Sequence, residues 1–272
     1  MTSRLPALAR AIVTRPAHEA QAWVADLRAS GVDAVSMPLI GIGPVADSAA
    51  LAQAWNKMHQ YDAVMFVSGN AVRHFFAWQP GGISLAWGAP LRAWVTGPGT
   101  QRALLACGVP PDCMDAPALD GAQFDSEALW AVVAPQVAAG TRVLIVRGHA
   151  AGGVHARGSA PGAGRDWLAR HIEAAGGMFD FVVAYERRAP VWSAADLDGI
   201  ARAAVDGSVW ILSSAEGLGY LLEAAPQQSW RQARAVATHP RIAAMARQAG
   251  FAWVQETRPV LAEIVASIES CA

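Results

Sequence analysis

Short runs of consecutive apolar residues recur along the whole chain, and helical patterns separate many of them. The predicted strands are residues 11–14, 34–42, 63–68, 93–96, 142–147, 179–185, 209–213, 233–238 and 252–256. Most of these runs are continuously apolar, which is typical of strands buried on both faces of a parallel sheet. The repeated alternation of strands and helices predicts a doubly wound α/β fold.

The composition excludes several classes of protein. Hydrophobic residues make up 53% of the 272 residues, which is enough for one large domain or two smaller ones. The formal net charge is −1, so no overall field favours nucleic acid or a membrane surface as a partner. The three cysteines form no CxxC motif and have no zinc-ligand spacing, which suits a reducing compartment. With no secretory signal and no apolar run of about 20 residues, we expect a cytoplasmic protein.

The sequence contains an internal repeat. Aligning "RAWVTGPGTQRALLACG" with "RAVATHPRIAAMARQAG" without a gap pairs Thr96 with Thr238, Pro98 with Pro240, and Gly108 with Gly250. An upstream repeat, in "YDAVMFVSGNAV" and "GSVWILSSAEGL", is interpreted as pairing Ser68 with Ser213. A period longer than about 100 residues predicts two similar lobes and not a solenoid.

Two extended, proline-containing segments interrupt the alternation and are interpreted as a connector between the lobes. They are "SMPLIGIGPV" and "VVAYERRAP". The predicted organisation is a discontinuous first lobe, a second lobe and a two-stranded connector, with the limits 1–37 plus 190–272, 44–182, and 38–43 plus 183–189. A Gly/Ala-rich segment at 152–164 is predicted to be a surface loop of unknown role.

The carboxyl ends of the predicted strands are rich in hydroxyl residues and glycine. In open α/β sheets, ligands bind beyond these ends. The residues there are Thr14, Arg15, Ser68, Asn70, Thr96, Gly97, Thr100, Arg147, Gly148, Ser213, Ser214 and Thr238. Taken singly, each fits a helix N-cap as well as a ligand contact. Taken together, several helix N-termini facing one cleft would suit a ligand that carries several carboxylates or phosphates.

Familiar catalytic and cofactor motifs are missing from the sequence. There is no P-loop, and "GPGTQRA" departs from the dinucleotide fingerprint at Arg102. His239 is expected to have a structural role, while Asp125 and Glu127 are expected to help begin a helix with Ser126 as its cap. Because no carboxylate pair is placed for acid–base work, we expect an intrinsically reactive substrate that the protein holds in a particular shape.

An ordered set of motifs resembles the uroporphyrinogen-III synthase family, and it extends from about residue 11 to residue 268. The motifs are "VTRPAHEAQAWVADLRASG", "MPLIGIGPV", "YDAVMFVSGNAV", "VTGPGTQRALLACG", "FDSEAL", "RVLIVRG", "AYERR" and "THPRIAAMARQAG". The resemblance implies two flavodoxin-like lobes joined by a two-stranded β connector. It also implies cyclisation of hydroxymethylbilane to uroporphyrinogen III, with inversion of ring D, loss of water, and no cofactor or metal.

The resemblance also implies roles for individual residues. Tyr185 matches the family's tyrosine at the connector, which is its usual candidate for the proton donor. Thr100 matches the threonine of the "G-P-x-T" turn, a candidate substrate contact. The residues that match positions lining the cleft are Thr14, Arg15, Ser68, Asn70, Ser213 and Ser214. Ile242 stands where the family often repeats that threonine, so this contact is in doubt. The segment 152–164 is interpreted as an insertion.

Two further interpretations stay open. A non-catalytic, two-lobed binding protein or sensor would use the same cleft, since homologues of enzymes can lose activity and keep the fold. A two-lobed glycosyltransferase would instead bind a nucleotide. For the synthase we expect a monomer whose partner is hydroxymethylbilane, with transient contact to the preceding pathway enzyme and no binding of nucleic acid or membrane.

Overall fold

The computed structural model describes residues 9–81, 85–88, 90–118, 125–150 and 163–271. Of the predicted loop at 152–164, residues 152–162 lie outside the described residues. The chain divides into two compact units, unit 1 (Met1–Gly41 with Arg188–Ala272) and unit 2 (Ile42–Arg187). The finer limits of the lobes and connector given above stay a prediction.

The secondary structure confirms the repeated alternation of strands and helices. The strands are β1 (Ala11–Val13), β2 (Ala34–Ser36), β3 (Gly41–Pro44), β4 (Ala63–Phe66), β5 (Arg92–Val95), β6 (Met114–Asp115), β7 (Arg142–Ala150), β8 (Met178–Arg188), β9 (Val209–Leu212), β10 (Arg234–Ala237) and β11 (Trp253–Glu256). The α-helices are α1 (Ala17–Ala29), α2 (Ala49–Asn56), α3 (Gly69–Ala77), α4 (Pro98–Ala106), α5 (Ser126–Val133), α6 (Ala163–Ala174), α7 (Ala194–Ala203), α8 (Ala215–Ala224), α9 (Pro240–Gln248) and α10 (Leu261–Glu269).

The sheet of unit 1 has the order β11-β10-β9-β1-β2, and its strand pairs are parallel. Numbered along the chain within the unit, this is the flavodoxin-like order 2-1-3-4-5. Successive residues of β9 enter opposite cores: Ile211 packs with α1 and α10, whereas Trp210 and Leu212 pack with α7, α8 and α9. Both faces are covered by helices, which explains why the strand sequences are continuously apolar.

The sheet of unit 2 has the order β3-β8-β7-β4-β5-β6 and is parallel from β8 to β6. If β7 and β8 are counted before β4, these five strands repeat the order of unit 1, so the same topology occurs here in permuted form. Met65 and Ile145 pack under α5 and α6, while Phe66 and Val146 pack under α2, α3 and α4. The doubly wound, two-lobed α/β fold is thereby confirmed.

Several predicted strands differ in length from the observed ones. The strand predicted at 34–42 is two strands, β2 and β3, because the chain between them contains Pro38, which has no N–H for a sheet ladder. The two-residue strand β6 was not predicted. Strands β7 and β8 extend to Ala150 and Arg188, so the charged residues that follow Tyr185 still belong to a strand.

The internal repeat is reproduced in the structure with one correction. Helices α4 and α9 both begin with proline and are followed by glycines of positive φ, Gly108 (81°) and Gly250 (93°). Ser68 and Ser214 cap α3 and α8 in the same way. The structural counterpart of Ser68 is therefore Ser214 and not Ser213, because both serines lie two residues beyond their strand.

The cap of α5 was also predicted wrongly. Asp125 is the N-cap and accepts a hydrogen bond from the Ala128 N–H at 2.9 Å, while Ser126 is the first helical residue and is buried. His239 has the structural role that was predicted, since its Nδ1 accepts from the Arg241 N–H at the start of α9. In the described part of the chain, no helix is long and apolar enough to span a bilayer.

Candidate active site

The predicted site residues of unit 2 lie on four adjacent strands or at their carboxyl ends. Ser68 and Asn70 follow β4, and the group of Thr96, Gly97 and Thr100 follows β5. The carboxyl-terminal halves of β7 and β8 contain Arg147, Gly148 and Tyr185. Because the four strands are parallel, their carboxyl ends meet at one edge of the sheet.

Tyr185 lies directly on the backbone of Gly148. The register of β7 and β8 shifts between Arg147 and Gly148, and this irregularity places Gly148 opposite Tyr185. A Cβ atom at Gly148 would overlap Cζ and Cε2 of the tyrosine ring and would lie 2.7 Å from Cε1. Any residue larger than glycine would therefore displace the ring. In this structure the close neighbour of Gly148 is Tyr185, whereas a role of Gly148 in binding substrate stays a prediction.

The hydroxyl of Tyr185 pairs with a helix cap. Tyr185 Oη is 3.1 Å from Ser68 Oγ, and either oxygen can be the donor. The same Ser68 Oγ accepts the Ala71 N–H at 3.1 Å, which caps α3. Only 4% of Tyr185 is exposed, so both the ring and its hydroxyl are held in a defined position.

The other two tyrosines have carboxylate partners. Tyr61 Oη donates to Asp180 at 2.8 Å, and burial together with this carboxylate raises the pKa of Tyr61 to about 12. Tyr220 Oη donates to Glu216 within its own helix at 3.0 Å. A carboxylate accepts a hydrogen bond and cannot return one, whereas a serine hydroxyl can do both. Tyr185 therefore differs from the other two tyrosines, because its hydroxyl can either donate to Ser68 or accept from it.

His74 and Arg73 belong to this site although the sequence did not identify them. The His74 ring stacks against Tyr185 with a centroid separation of 5.7 Å and an interplanar angle of 28°. Burial lowers the pKa of His74, and the positive charge of Arg73 adds to this effect. Arg73 Nη2 also donates to the side-chain oxygen of buried Asn70 at 2.8 Å. The available signal was their spacing of three and four residues from Asn70, which places the side chains on one face of the helix but cannot show what lies against that face.

The helices α3 and α4 begin side by side. A Cβ at Gly69 would be 3.5 Å from the Gly99 carbonyl oxygen and 3.6 Å from the Ala103 Cβ, which are ordinary contact distances and show that the two helix ends are neighbours. Thr100 is 6% exposed, and its hydroxyl makes no hydrogen bond to any residue that the structure describes. Two neighbouring helix N-termini provide N–H donors and positive dipole ends, which suit a carboxylate.

Arg147 projects toward β8 and has an incompletely satisfied guanidinium group. Its Cζ lies 4.1 Å from the centroid of the Phe181 ring, a cation–π contact. The Nε atom is buried and has no hydrogen-bond partner within the described ranges. A buried N–H group without a partner can donate a hydrogen bond to an anionic ligand.

The predicted site residues of unit 1 lie at the carboxyl ends of β1, β9 and β10. The Thr14 hydroxyl donates to the Ile211 carbonyl oxygen at 2.6 Å and thereby joins β1 to β9. The Thr238 hydroxyl is 3.5 Å from the Leu212 carbonyl oxygen, a long contact. Arg15 contacts Glu19 at 3.4 Å and lies over Trp23. Ser214 caps α8, and Ser213 precedes it. Roles of these residues in binding substrate stay predictions.

A metal site is not built from the usual ligands in this part of the protein. Among the described residues, no group of three or more His, Cys, Asp or Glu side chains is placed to hold a metal ion. Among the described residues, the polar side chains that contact Tyr185 are the hydroxyl of Ser68 and the imidazole of His74, and Arg73 lies beside His74. These groups can donate hydrogen bonds, bind carboxylates and transfer a proton.

Comparison with known proteins gives a family and a fold. A family model described as uroporphyrinogen-III synthase HemD matches residues 21–266. A mutant uroporphyrinogen III synthase from Thermus thermophilus aligns with a TM-score of 0.53 at 17% identity, over 97% of this chain and 98% of that chain. Uroporphyrinogen-III synthetase from Helicobacter pylori aligns with a TM-score of 0.58 at 12% identity, over 97% of this chain and 100% of that chain.

Proposed function

The chain belongs to the uroporphyrinogen-III synthase HemD family, and from this membership we propose that it converts hydroxymethylbilane to uroporphyrinogen III. The observation that carries the proposal is the family match over residues 21–266. The shared fold of the two solved synthases supports it. The reaction is a cyclisation with inversion of ring D and loss of water.

The chemistry begins with departure of the hydroxyl group from ring A. Proton donation to this hydroxyl assists its loss as water and leaves an electrophilic azafulvenium ion. Ring D then attacks through its substituted α-carbon, and the resulting spiro intermediate fragments and recloses with ring D inverted. Without control of the bilane's shape, closure at the free α-carbon gives the type I isomer. The main task of the protein is therefore to favour one conformation of the substrate.

Tyr185 is the proposed proton donor to the ring A hydroxyl. Its hydroxyl is fixed by the packing on Gly148 and by the contact with Ser68. The donor role requires the hydroxyl edge of Tyr185 to become accessible when substrate binds, because only 4% of the residue is exposed in this structure.

The carboxylates of the bilane are the groups by which the protein would hold it. In unit 2 the proposed contacts are Arg147, the hydroxyl of Thr100 and the N-terminal N–H groups of α3 and α4. These groups concentrate positive potential locally, so a net charge of −1 for the whole chain is compatible with an anionic substrate.

The proposal extends to location and partners. Cys107, Cys113 and Cys271 are free, which supports a reducing, cytoplasmic compartment. The proposed working form is a monomer that receives the bilane through transient contact with the enzyme that makes it. Gel filtration of the purified chain, alone and mixed with that enzyme, tests both points.

Isomer analysis tests the reaction itself. The bilane is generated in situ, the products are oxidised, and the porphyrin isomers are separated chromatographically. We expect type III product in excess, formed faster than the type I product of a protein-free control. Only type I product, at the uncatalysed rate, would contradict the proposal. Binding of the bilane without turnover would then favour the non-catalytic homologue.

A further inference from the structure

We propose that Ser68 is a positioning residue for the reaction, because its hydroxyl donates a hydrogen bond to Tyr185 and leaves the tyrosine's own proton for the substrate. This inference rests on the proposed function, in which Tyr185 is the proton donor. It gives Ser68 a role through Tyr185 in place of the direct substrate contact predicted from the sequence.

The hydrogen bonds of Ser68 leave its own hydrogen free for donation to Tyr185. A serine hydroxyl has one hydrogen and two acceptor positions. The Ala71 N–H occupies one acceptor position at 3.1 Å, and Tyr185 Oη lies 3.1 Å away. Among the described residues, Ser68 Oγ has no other partner, so Tyr185 Oη is the available acceptor for its hydrogen. If Ser68 donates, the hydrogen of Tyr185 points elsewhere.

The position of the tyrosine oxygen is fixed from three directions. Gly148 lies under the ring, His74 stacks beside it, and Ser68 holds the hydroxyl. Ser68 in turn is fixed because it caps α3, whose N-terminus carries the positive end of the helix dipole. The Tyr185 hydroxyl is therefore already in position before the reaction begins. Such preorganisation favours efficient proton transfer.

The contact strengthens as the proton leaves. The Tyr185 O–H bond breaks, its proton goes to the ring A hydroxyl oxygen, the carbon–oxygen bond breaks and water departs. The tyrosine oxygen keeps the electron pair of its O–H bond as a phenolate. The hydrogen bond from Ser68 then becomes charge-assisted. When the macrocycle recloses, the free α-carbon of ring D loses a proton, which balances the one that Tyr185 donated.

A double-mutant cycle on kcat tests the coupling of the two hydroxyls. An interaction that is stronger in the transition state lowers kcat when it is removed and leaves KM nearly unchanged. We expect Ser68→Ala to lower kcat for type III product about 10-fold, with KM within about 2-fold of wild type. Tyr185→Phe combined with Ser68→Ala should be no slower than Tyr185→Phe alone, because Ser68 has then lost the group on which it acts.

Three further variants separate this role from folding. Ser68→Gly largely preserves the N-cap but has no hydroxyl, so it should be as slow as Ser68→Ala. Ser68→Thr keeps both the cap and the hydroxyl and should recover most of kcat. Ser193→Ala removes the capping box of α7 in unit 1 and should leave kcat unchanged.

The outcomes distinguish this inference from the proposed function. Independent, multiplicative losses of kcat for Ser68→Ala and Tyr185→Phe would overturn the inference, as would a raised KM at unchanged kcat for Ser68→Ala. In either case wild-type protein would still make type III product. A wild-type protein that gives only type I product at the uncatalysed rate would overturn the proposed function, and this inference with it.

Discussion

The segments β4–α3 of unit 2 and β9–α8 of unit 1 are built alike but carry different side chains. Each is a four-residue buried strand, a two-residue turn that ends in serine, and a helix capped by that serine. The capping distances are 3.1 Å from Ser68 to the Ala71 nitrogen and 3.2 Å from Ser214 to the Gly217 nitrogen. The difference is that Ser68 also contacts a tyrosine, whereas Ser214 makes no side-chain hydrogen bond besides the cap to any residue that the structure describes.

The sixth helical position shows the same contrast. In α3 this position is His74, which stacks on Tyr185, and in α8 it is Tyr220, which donates to Glu216 of its own helix. Local sequence therefore determines the strand–turn–helix unit in both places. The proposed chemistry is added in unit 2 by a residue 117 positions away along the chain. A capping serine is thus a structural residue that acquires a second role only through its long-range neighbour.

The largest effect is expected from adding a side chain under the tyrosine. Gly148→Ala should lower the free energy of unfolding by about 1–3 kcal/mol, because the new Cβ overlaps the Tyr185 ring. It should also lower turnover at least as much as Tyr185→Phe, since the donor is displaced. Urea unfolding and the isomer assay measure the two losses.

A second glycine provides the matched control. In unit 1, a Cβ at Gly219 would meet Met245 Cε at 3.7 Å and no other atom of the described residues within 4 Å, so Gly219→Ala in α8 should be stabilising by about 0.4–1 kcal/mol. In a Tyr185→Ala background, the cost of Gly148→Ala should largely disappear. An unchanged cost in that background would show that the ring does not lie on Gly148.

The next effect concerns the tyrosine hydroxyl. Tyr185→Phe should lower turnover to type III product about 10-fold or more, since a positioned acid contributes about 10²–10⁴ and departure of this leaving group is intrinsically easy. Tyr220→Phe, which removes a tyrosine hydroxyl from the corresponding segment of unit 1, should leave turnover unchanged. Wild-type turnover in a folded Tyr185→Phe protein would reassign Tyr185 to packing.

A smaller effect is expected on stability when the capping serines Ser68 and Ser214 are each replaced by alanine. Ser214→Ala should lower the free energy of unfolding by about 1 kcal/mol, the usual value of an N-cap. Ser68→Ala should cost the same amount plus the hydrogen bond to Tyr185, which is worth about 0.5–1.5 kcal/mol. Chemical denaturation of both variants gives the difference. Equal losses would mean that the contact with Tyr185 adds nothing to stability.

The sequence predicted the fold more completely than the site, and the reason is physical. Strands that are buried on both faces must be continuously apolar, so most were visible in the sequence, whereas β6 has only two residues. The identity of a helix cap was less certain, because Asp125 and Ser126 are both good caps and only the backbone geometry selects between them. Glycine inside a strand indicates a bulge or a close approach, and Gly148 has both, but the sequence could not show that Tyr185 is its neighbour.

The smallest effect is a pH dependence of stability between about pH 7.5 and about pH 5.5 that we expect from His74 of unit 2. Burial lowers the pKa of His74 below its ordinary value of 6.5, and Arg73 lowers it further. As the pH falls through about 6.5, His74 therefore binds a proton in the unfolded chain but is still neutral in the folded protein. Stability is accordingly complete above pH 6.5 and falls as the pH decreases from 6.5 toward the lower pKa of the folded state.

Replacing His74 tests whether this residue makes stability fall as the pH decreases. His74→Phe keeps an aromatic ring against Tyr185 and removes the titration, so its stability should fall less than that of wild type between about pH 7.5 and about pH 5.5. Urea unfolding at both pH values measures the two slopes, and His59→Gln is the control for loss of an exposed histidine. A steeper slope in His74→Phe would mean that the folded protein stabilises the imidazolium form. In that case the positive charge beside Tyr185 would belong to the site, and the neutral stacking partner described above would be wrong.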